Sequence, residues 1–238
     1  MTLLGDDLLL RLDARIDQKH LLKHPFYQDW QAGKLPRASL QLYATQYYRH
    51  VDAFPGYLKT LAARTNGALR SVILQNLAEE TDPRAPHPRL WRDFAAAIGV
   101  PEETLTSSPM LPATQTLVET YRRFCAEGPA CHAVAVLYAY ESQVPETAAE
   151  KLEGLRRFYG VTRPEGLAYF AVHQEADKAH RAAWRNWLAA DGYGSLDRTV
   201  AAAEEALDAL WGVLDAVHRP QRQATASPKY KTARASGR

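Results

Sequence analysis

The chain has 238 residues, 46% of them hydrophobic and 24% charged, which is enough for one domain with a well-buried core. Residues 219–238 hold six of the 29 basic residues and no acid, so residues 1–218 keep 23 basic against 27 acidic residues, a net charge of about −4. That balance argues against a nucleic-acid-binding protein, and no stretch approaches the ~20 apolar residues of a membrane span.

Helical periodicity dominates the chain. The predicted helices, in order, are an apolar stripe at Leu8, Leu9, Leu12 and Ile16, then 39–65, 69–80, 87–98, 112–127, 129–159, 166–190 and 196–217. Pro145 interrupts the fifth of these ranges, Gly99 is a C-cap glycine, and Asp191-Gly192 is a stop signal. Because no segment shows convincing period-two alternation, the pattern predicts an all-α bundle of about eight helices.

The chain divides into a predicted domain at residues 1–218 and a basic tail at 219–238. The tail has few large apolar residues to bury, so we expect it to be disordered. Cys125 and Cys131 form no CxxC pair, and the first ten residues are unlike a signal peptide. A cytoplasmic protein with two free thiols is the expectation, with neither a nucleic acid nor a membrane as partner. A homodimer remains an open alternative.

The segment 169–181 predicts part of a metal site. His173, Asp177 and His180 lie at i, i+4 and i+7, and therefore on one face of a helix. Two imidazoles and a carboxylate on one stripe supply nitrogen and oxygen ligands for a transition metal. The spacing alone leaves an ordinary helix face as the alternative.

Glu141 follows the apolar and aromatic run 133–140, so its carboxylate should be buried. A buried carboxylate needs a compensating cation, and a metal ion would serve. Pairing with an arginine or a tyrosine is the alternative. Pro145 has no backbone N–H to donate to the carbonyl of Glu141, so it should kink the helix there.

Glu80 ends one predicted helix and His87 begins the next. Pro83 and Pro86 lie between them, so spacing alone does not bring the two side chains together. If they converge, the chain offers three carboxylates and three imidazoles, which nearly neutralise two divalent ions. This set of oxygen and nitrogen ligands without thiolate suits iron or manganese better than structural zinc, and it lacks the Glu-x-x-His motif of ferritin-like bundles.

From about Asp13 to Val217 the chain resembles the haem-oxygenase-like superfamily of TenA and PqqC type. Within it, the chain looks most like the CADD family, the chlamydial-type proteins associating with death domains. The blocks that carry the resemblance are QKHLLKHPFY, LYATQYYRHVDAFPGYL, NLAEE with HPRLW, LYAYESQVP, EKLEGL with FYG, and YFAVHQEADKAH.

The resemblance implies a haem-oxygenase-like fold and two iron ions, for one or both of which manganese could stand. By motif position the implied ligands are Glu80, His87, Glu141, His173, Asp177 and His180. Proteins of this family make p-aminobenzoate for folate by sacrificing a tyrosine of their own chain, with O2 and an external reductant. The matching tyrosine is Tyr27, and the matching lysine, a candidate amino donor, is Lys151. In this hypothesis the Tyr27 phenol lies close to the metals.

Three alternatives stay open at this stage. The first is a multi-turnover di-iron oxygenase that acts on a small external molecule. The second is a metal-free relative of TenA or PqqC type in cofactor biosynthesis, of which the thiaminase-like version would need a nucleophile such as Cys131. The third is a helical interaction module, as the family name suggests, but binding of a death-domain protein is not predicted.

Overall fold

The computed structural model describes residues 3–190 and 194–225, with side chains from Leu4 to His218. Within those ranges the chain folds into eleven α-helices and two 3-10 turns, with no strand. The 3-10 turns are Leu21–Lys23 and Pro164–Gly166. The helices are α1 (Leu3–Gln18), α2 (Pro25–Gln31), α3 (Arg37–Ala63), α4 (Gly67–Glu80), α5 (His87–Ala97), α6 (Glu102–Ser107), α7 (Pro112–Ala126), α8 (Ala130–Glu141), α9 (Val144–Phe158), α10 (Ala168–Ala190) and α11 (Leu196–Thr225).

Helix α8 lies at the centre of the bundle. Every side chain from Ala133 to Glu141 is buried, as expected for a helix that is apolar on all faces. It packs against α7 and α11, and it also contacts α9 and α10. Helix α3 packs on α4, α5 and α7 and contributes a row of buried aromatic side chains. This arrangement places the polar ends of α4, α8 and α10 inside the bundle.

The structure confirms the all-α bundle, with more helices than the eight or so predicted. Two short helices, α2 and α6, are additional, and the predicted helix 129–159 is split into α8 and α9. Pro145 is the cause of the split, since α8 ends at Glu141 and the proline stands in the first turn of α9. Gly99 has φ +83° and ends α5, as its C-cap assignment requires.

The chain's final helix extends beyond the boundary drawn from the sequence. Helix α11 ends at Thr225, seven residues past 218, and the rest of the predicted tail lies outside the described residues. The Asp191-Gly192 stop signal also lies outside them. None of the helices in residues 3–190 and 194–225 is long and apolar enough to cross a membrane.

Candidate di-metal site

The six predicted metal ligands come together in the core as two groups of three. Ligand atoms within each group lie within 4.8 Å of one another, and all six side chains are buried. Four of the six residues line one small cavity. We refer to the groups as cluster one (Glu80, His87 and His173) and cluster two (Glu141, Asp177 and His180).

Cluster one joins three helices. Glu80 is the last residue of α4, and His87 is the first of α5. The turn between them is held by Arg84, which donates hydrogen bonds to Asp82 through its backbone and its guanidinium. Glu80 Oε2 lies 3.0 Å from His87 Nδ1, and Glu80 Oε1 lies 3.8 Å from His173 Nε2. The sequence could not show this convergence, which depends on the turn.

The orientation of His173 suits a metal ligand. Its Nδ1 lies 2.7 Å from the backbone carbonyl oxygen of Tyr169, to which it donates, so the lone pair of Nε2 points toward Glu80. Metal-binding histidines commonly donate their second ring nitrogen to a carbonyl or a carboxylate in this way. Burial alone would lower the pKa of His173, but the contact with Glu80 raises it. Burial opposes ionisation of Glu80, and His173 and His87 outweigh it, which lowers the pKa of Glu80 to about 2.

Cluster two joins α8 and α10. His180 Nδ1 lies 3.1 Å from Asp177 Oδ1 and 3.7 Å from Glu141 Oε2. On the other side of the ring, Nε2 lies 3.0 Å from Glu79 Oε2. Burial lowers the pKa of His180, yet Asp177 and Glu141 raise it to about 9. Burial raises the pKa of Glu141; His180 opposes that shift and Asp177 reinforces it.

Three residues that hold this site were not identified from the sequence. Asn76 donates to both oxygens of Glu141, at 3.1 and 3.3 Å, and Trp184 Nε1 donates to Glu141 Oε2 at 2.5 Å. Glu79 is the third, through His180. Trp184 lies seven residues after Asp177 on the same face of α10, which is a signal the sequence did contain.

The donor atoms fit a pair of divalent cations. Asp177 Oδ2 is buried and has no hydrogen-bond partner among the described residues, so it is free to bind a cation, and His87 Nδ1 faces Glu80 Oε2 at 3.0 Å. Three carboxylates and three neutral imidazoles carry three negative charges, and two divalent cations would carry four positive charges. Without cations, carboxylates would lie close together away from water, as the raised pKa of Glu141 shows. A di-metal centre therefore agrees with the structure.

Tyr27 and Lys151 also lie together, buried in the core. The Tyr27 hydroxyl is 3.4 Å from the Tyr43 hydroxyl, and Lys151 Nζ donates to the same Tyr43 oxygen at 2.9 Å. The Lys151 ammonium nitrogen lies 5.4 Å from the centroid of the Tyr27 ring. Burial lowers the pKa of Lys151 from 10.5 to about 7, so a large fraction of this amine is neutral at pH 7.

Gly154 leaves room for an aromatic side chain beside Tyr27. Trp30 stacks on Tyr27, with 6.2 Å between ring centroids, and its indole lies against Gly154 of α9. A Cβ atom at position 154 would overlap the indole nitrogen and its neighbouring carbon. Gly154 therefore allows α2 and α9 to pack closely around Tyr27 and Lys151.

Tyr27 does not line the cavity between the clusters. A series of aromatic rings joins the two places instead. Tyr169 stacks on His173 at 4.1 Å between centroids, Trp91 lies 4.8 Å from Tyr169, and Tyr43 lies 5.8 Å from Trp91. Tyr43 then contacts Tyr27. The intervening rings come from α3, α5 and α10, whose apolar spacing resembles that of ordinary core helices.

The cavity between the clusters is very small. It is lined by two of the ligands of each cluster, Glu80 with His173 and Glu141 with Asp177, together with side chains of α3, α8 and α10. Its volume of about 10 Å³ is room for roughly one water molecule. The cysteines are not part of it: Cys125 is buried, which raises its pKa to about 12, and Cys131 contacts Thr199 of α11.

Comparison with known proteins gives consistent matches over most of the chain. A family model described as "iron-containing redox enzyme" matches residues 41–216. The 4-aminobenzoate synthase of Chlamydia pneumoniae is 42% identical over 205 residues, covering 85% of this chain and 91% of that protein. The 4-aminobenzoate synthase of Nitrosomonas europaea is 38% identical over 222 residues, with coverage of 87% and 89%.

More distant matches share the fold. The pyrroloquinoline-quinone synthase of Acidiphilium cryptum is 30% identical over 224 residues, covering 90% of this chain and 89% of that protein. A solved TenA homologue from Pseudomonas syringae superposes with a TM-score of 0.79 at 16% identity, covering 91% of this chain and 93% of that chain. That likeness supports the haem-oxygenase-like fold.

Proposed function

Because the chain belongs to the family of iron-containing redox enzymes, we propose that it is a 4-aminobenzoate synthase that uses its own Tyr27 as the source of the ring. The observation that carries the proposal is the pairing of Tyr27 with Lys151 in the core, where aromatic rings lead from Tyr27 to His173 of cluster one. The relatives named above as 4-aminobenzoate synthases support the product.

The six cluster residues are the proposed ligands of two metal ions, with iron in at least one position and iron or manganese in the other. When bound, the metals would supply redox chemistry with O2 and an external reductant. Glu79, Asn76 and Trp184 orient the ligands of cluster two from outside. The cavity between the clusters has room for about one water molecule.

The residues around Tyr27 position its phenol, connect it to the metal ligands and supply an amine. The fold holds the phenol against Tyr43, so the substrate needs no binding step and is already positioned. The rings between His173 and Tyr27 offer a path for electron transfer. Lys151 presents an amine that is partly neutral near pH 7, and only a neutral amine has a lone pair to donate.

The size of the cavity favours this proposal over a multi-turnover oxygenase that acts on an external substrate. An external aromatic substrate would need a volume of several hundred Å³ beside the ligands, far more than the cavity provides. A substrate that is part of the chain needs none. An internal substrate also limits each chain to one molecule of product.

Isotope labelling tests the source of the ring. Protein grown with ring-labelled tyrosine, loaded with iron and supplied with reductant and O2 in unlabelled buffer should release labelled 4-aminobenzoate, at most one molecule per chain. The mass of the peptide containing residue 27 should fall in step with the product. Tyr27→Phe should abolish release, whereas Tyr57→Phe, which removes a buried hydroxyl elsewhere, should not. Unlabelled product, or full product from Tyr27→Phe, would refute the role of Tyr27.

A further inference from the structure

His50 is a buried polar residue without a structural partner. It lies on α3, its side chain is 0% exposed, and neither ring nitrogen has a hydrogen-bond partner among the described residues. Leaving a buried donor or acceptor unpaired costs about 1–3 kcal/mol. A residue that imposes such a cost on the fold requires an explanation outside core packing.

The position of His50 suggests what its partner is. Its ring lines the cavity between the two clusters, beside Glu80, Glu141, His173 and Asp177. On other sides the ring contacts aromatic side chains, with centroids 4.6 Å away at Tyr121 and 5.2 Å away at Tyr140. Burial, only partly opposed by Glu80, lowers the pKa of His50 to about 3, so the ring is neutral. A neutral imidazole has one N–H donor and one acceptor.

We infer that His50 hydrogen-bonds the small molecule that occupies the cavity between the clusters, and that this ligand is no larger than two or three atoms. The inference rests on the proposed function, because it assigns the other contacts of that molecule to the metal ions. Water has the size of the cavity, O2 is slightly larger, and azide is the larger anionic probe whose binding is measured. The fixed N–H of His50 would orient such a ligand and stabilise negative charge that develops on the ligand atom that accepts its hydrogen bond.

The alternative is a structural histidine that pairs with nearby phenols. Tyr57 and Tyr121 each have a buried hydroxyl without a partner among the described residues, and both rings contact His50. Neither tyrosine lines the cavity. Tyr121→Phe is therefore a matched control, since it removes an equally buried polar atom beside the same histidine without changing the cavity wall.

Azide binding to the oxidised di-iron protein tests the inference. Absorption titrations should be made with wild type, His50→Phe, His50→Gln and Tyr121→Phe, after elemental analysis of each. We expect two metal ions per chain throughout. The Kd for azide should rise roughly tenfold or more in His50→Phe, as for the loss of one charge-assisted hydrogen bond, and remain within about threefold of wild type in His50→Gln and Tyr121→Phe. Metal-free His50→Phe should unfold at the same temperature as wild type or a higher one.

The contrary outcomes are distinct. An unchanged azide Kd in fully loaded His50→Phe would overturn this inference and leave the proposed function standing. An equal loss of azide affinity in Tyr121→Phe, or a lower unfolding temperature in metal-free His50→Phe, would assign His50 to the packing of the core and would also overturn it. Wild-type protein that binds no metal would overturn the proposed function and the inference together.

Discussion

Replacing the buried lysine should stabilise the protein at neutral pH while it removes the proposed amino donor. Lys151 is 7% exposed, and burial lowers its pKa from 10.5 to about 7. A shift of that size corresponds to about 5 kcal/mol, since each pKa unit is worth about 1.4 kcal/mol. The substitution also removes the hydrogen bond to Tyr43, and this loss offsets about 1 kcal/mol of the stabilisation. We therefore expect Lys151→Met to raise the free energy of unfolding by roughly 3–4 kcal/mol near pH 7.

The gain should depend on pH in a defined direction. Between pH 7 and pH 10.5 the unfolded chain binds a proton at residue 151 that the folded chain does not, so the stability of wild type rises with pH across that window. The destabilisation caused by burying Lys151 has its full size below pH 7. It disappears near pH 10.5, where the lysine is neutral in the unfolded chain as well. The advantage of Lys151→Met should thus shrink by about 3 kcal/mol between pH 7 and pH 9.5.

Urea unfolding of metal-free protein at several pH values measures this effect, with the slope compared between variants. Lys178→Met is the matched control. Its lysine side chain is 52% exposed and forms an ion pair with Glu175, so its effect should stay within about 0.5 kcal/mol at every pH. An advantage of Lys151→Met that is constant from pH 7 to pH 9.5 would show that the lysine is not buried as a neutral amine, and would refute the reasoning.

Three further changes address the site and its surroundings. Trp184→Phe removes one hydrogen bond to Glu141 and should weaken metal affinity by about 10–100-fold, measured by competition with a chelator, and unchanged affinity would contradict that role. Glu79→Gln should weaken it to a lesser degree through His180, because the amide still hydrogen-bonds but no longer carries charge. Gly154→Ala should destabilise the protein by about 1–3 kcal/mol in thermal or urea unfolding, since a Cβ overlaps the indole that covers Tyr27. Gly56→Ala, in a helix with nothing within 4 Å of the added Cβ, should instead be neutral or stabilising by up to about 1 kcal/mol.

Local sequence patterns were sufficient for part of the site. His173, Asp177 and His180 share a helix, so their spacing fixed their common face before any tertiary contact was known. The apolar run before Glu141 indicated that its carboxylate is buried, and Pro145 indicated where α8 ends. In each case the decisive interaction lies within one or two helical turns.

The remaining features depend on contacts between distant segments. Asn76 lies 65 residues before Glu141, and nothing near Asn76 in the chain distinguishes it from an ordinary polar helix residue. Lys151 stands beside Glu150 in a charged stretch that is typical of a solvated helix, and only the packing of α2 on α9 shows that it is buried. His50 falls in an aromatic row that reads as core.

The close packing around Tyr27 has a consequence for the stability of a chain that has lost this ring. The ring is 2% exposed and is packed among Phe26, Trp30, Tyr43 and Lys151, so its departure would leave an empty space in the core. Truncating a buried aromatic side chain typically costs 3–5 kcal/mol, a large share of the stability of a domain. A used chain would therefore unfold more readily than a fresh one, and cellular proteases would distinguish the two without a dedicated signal.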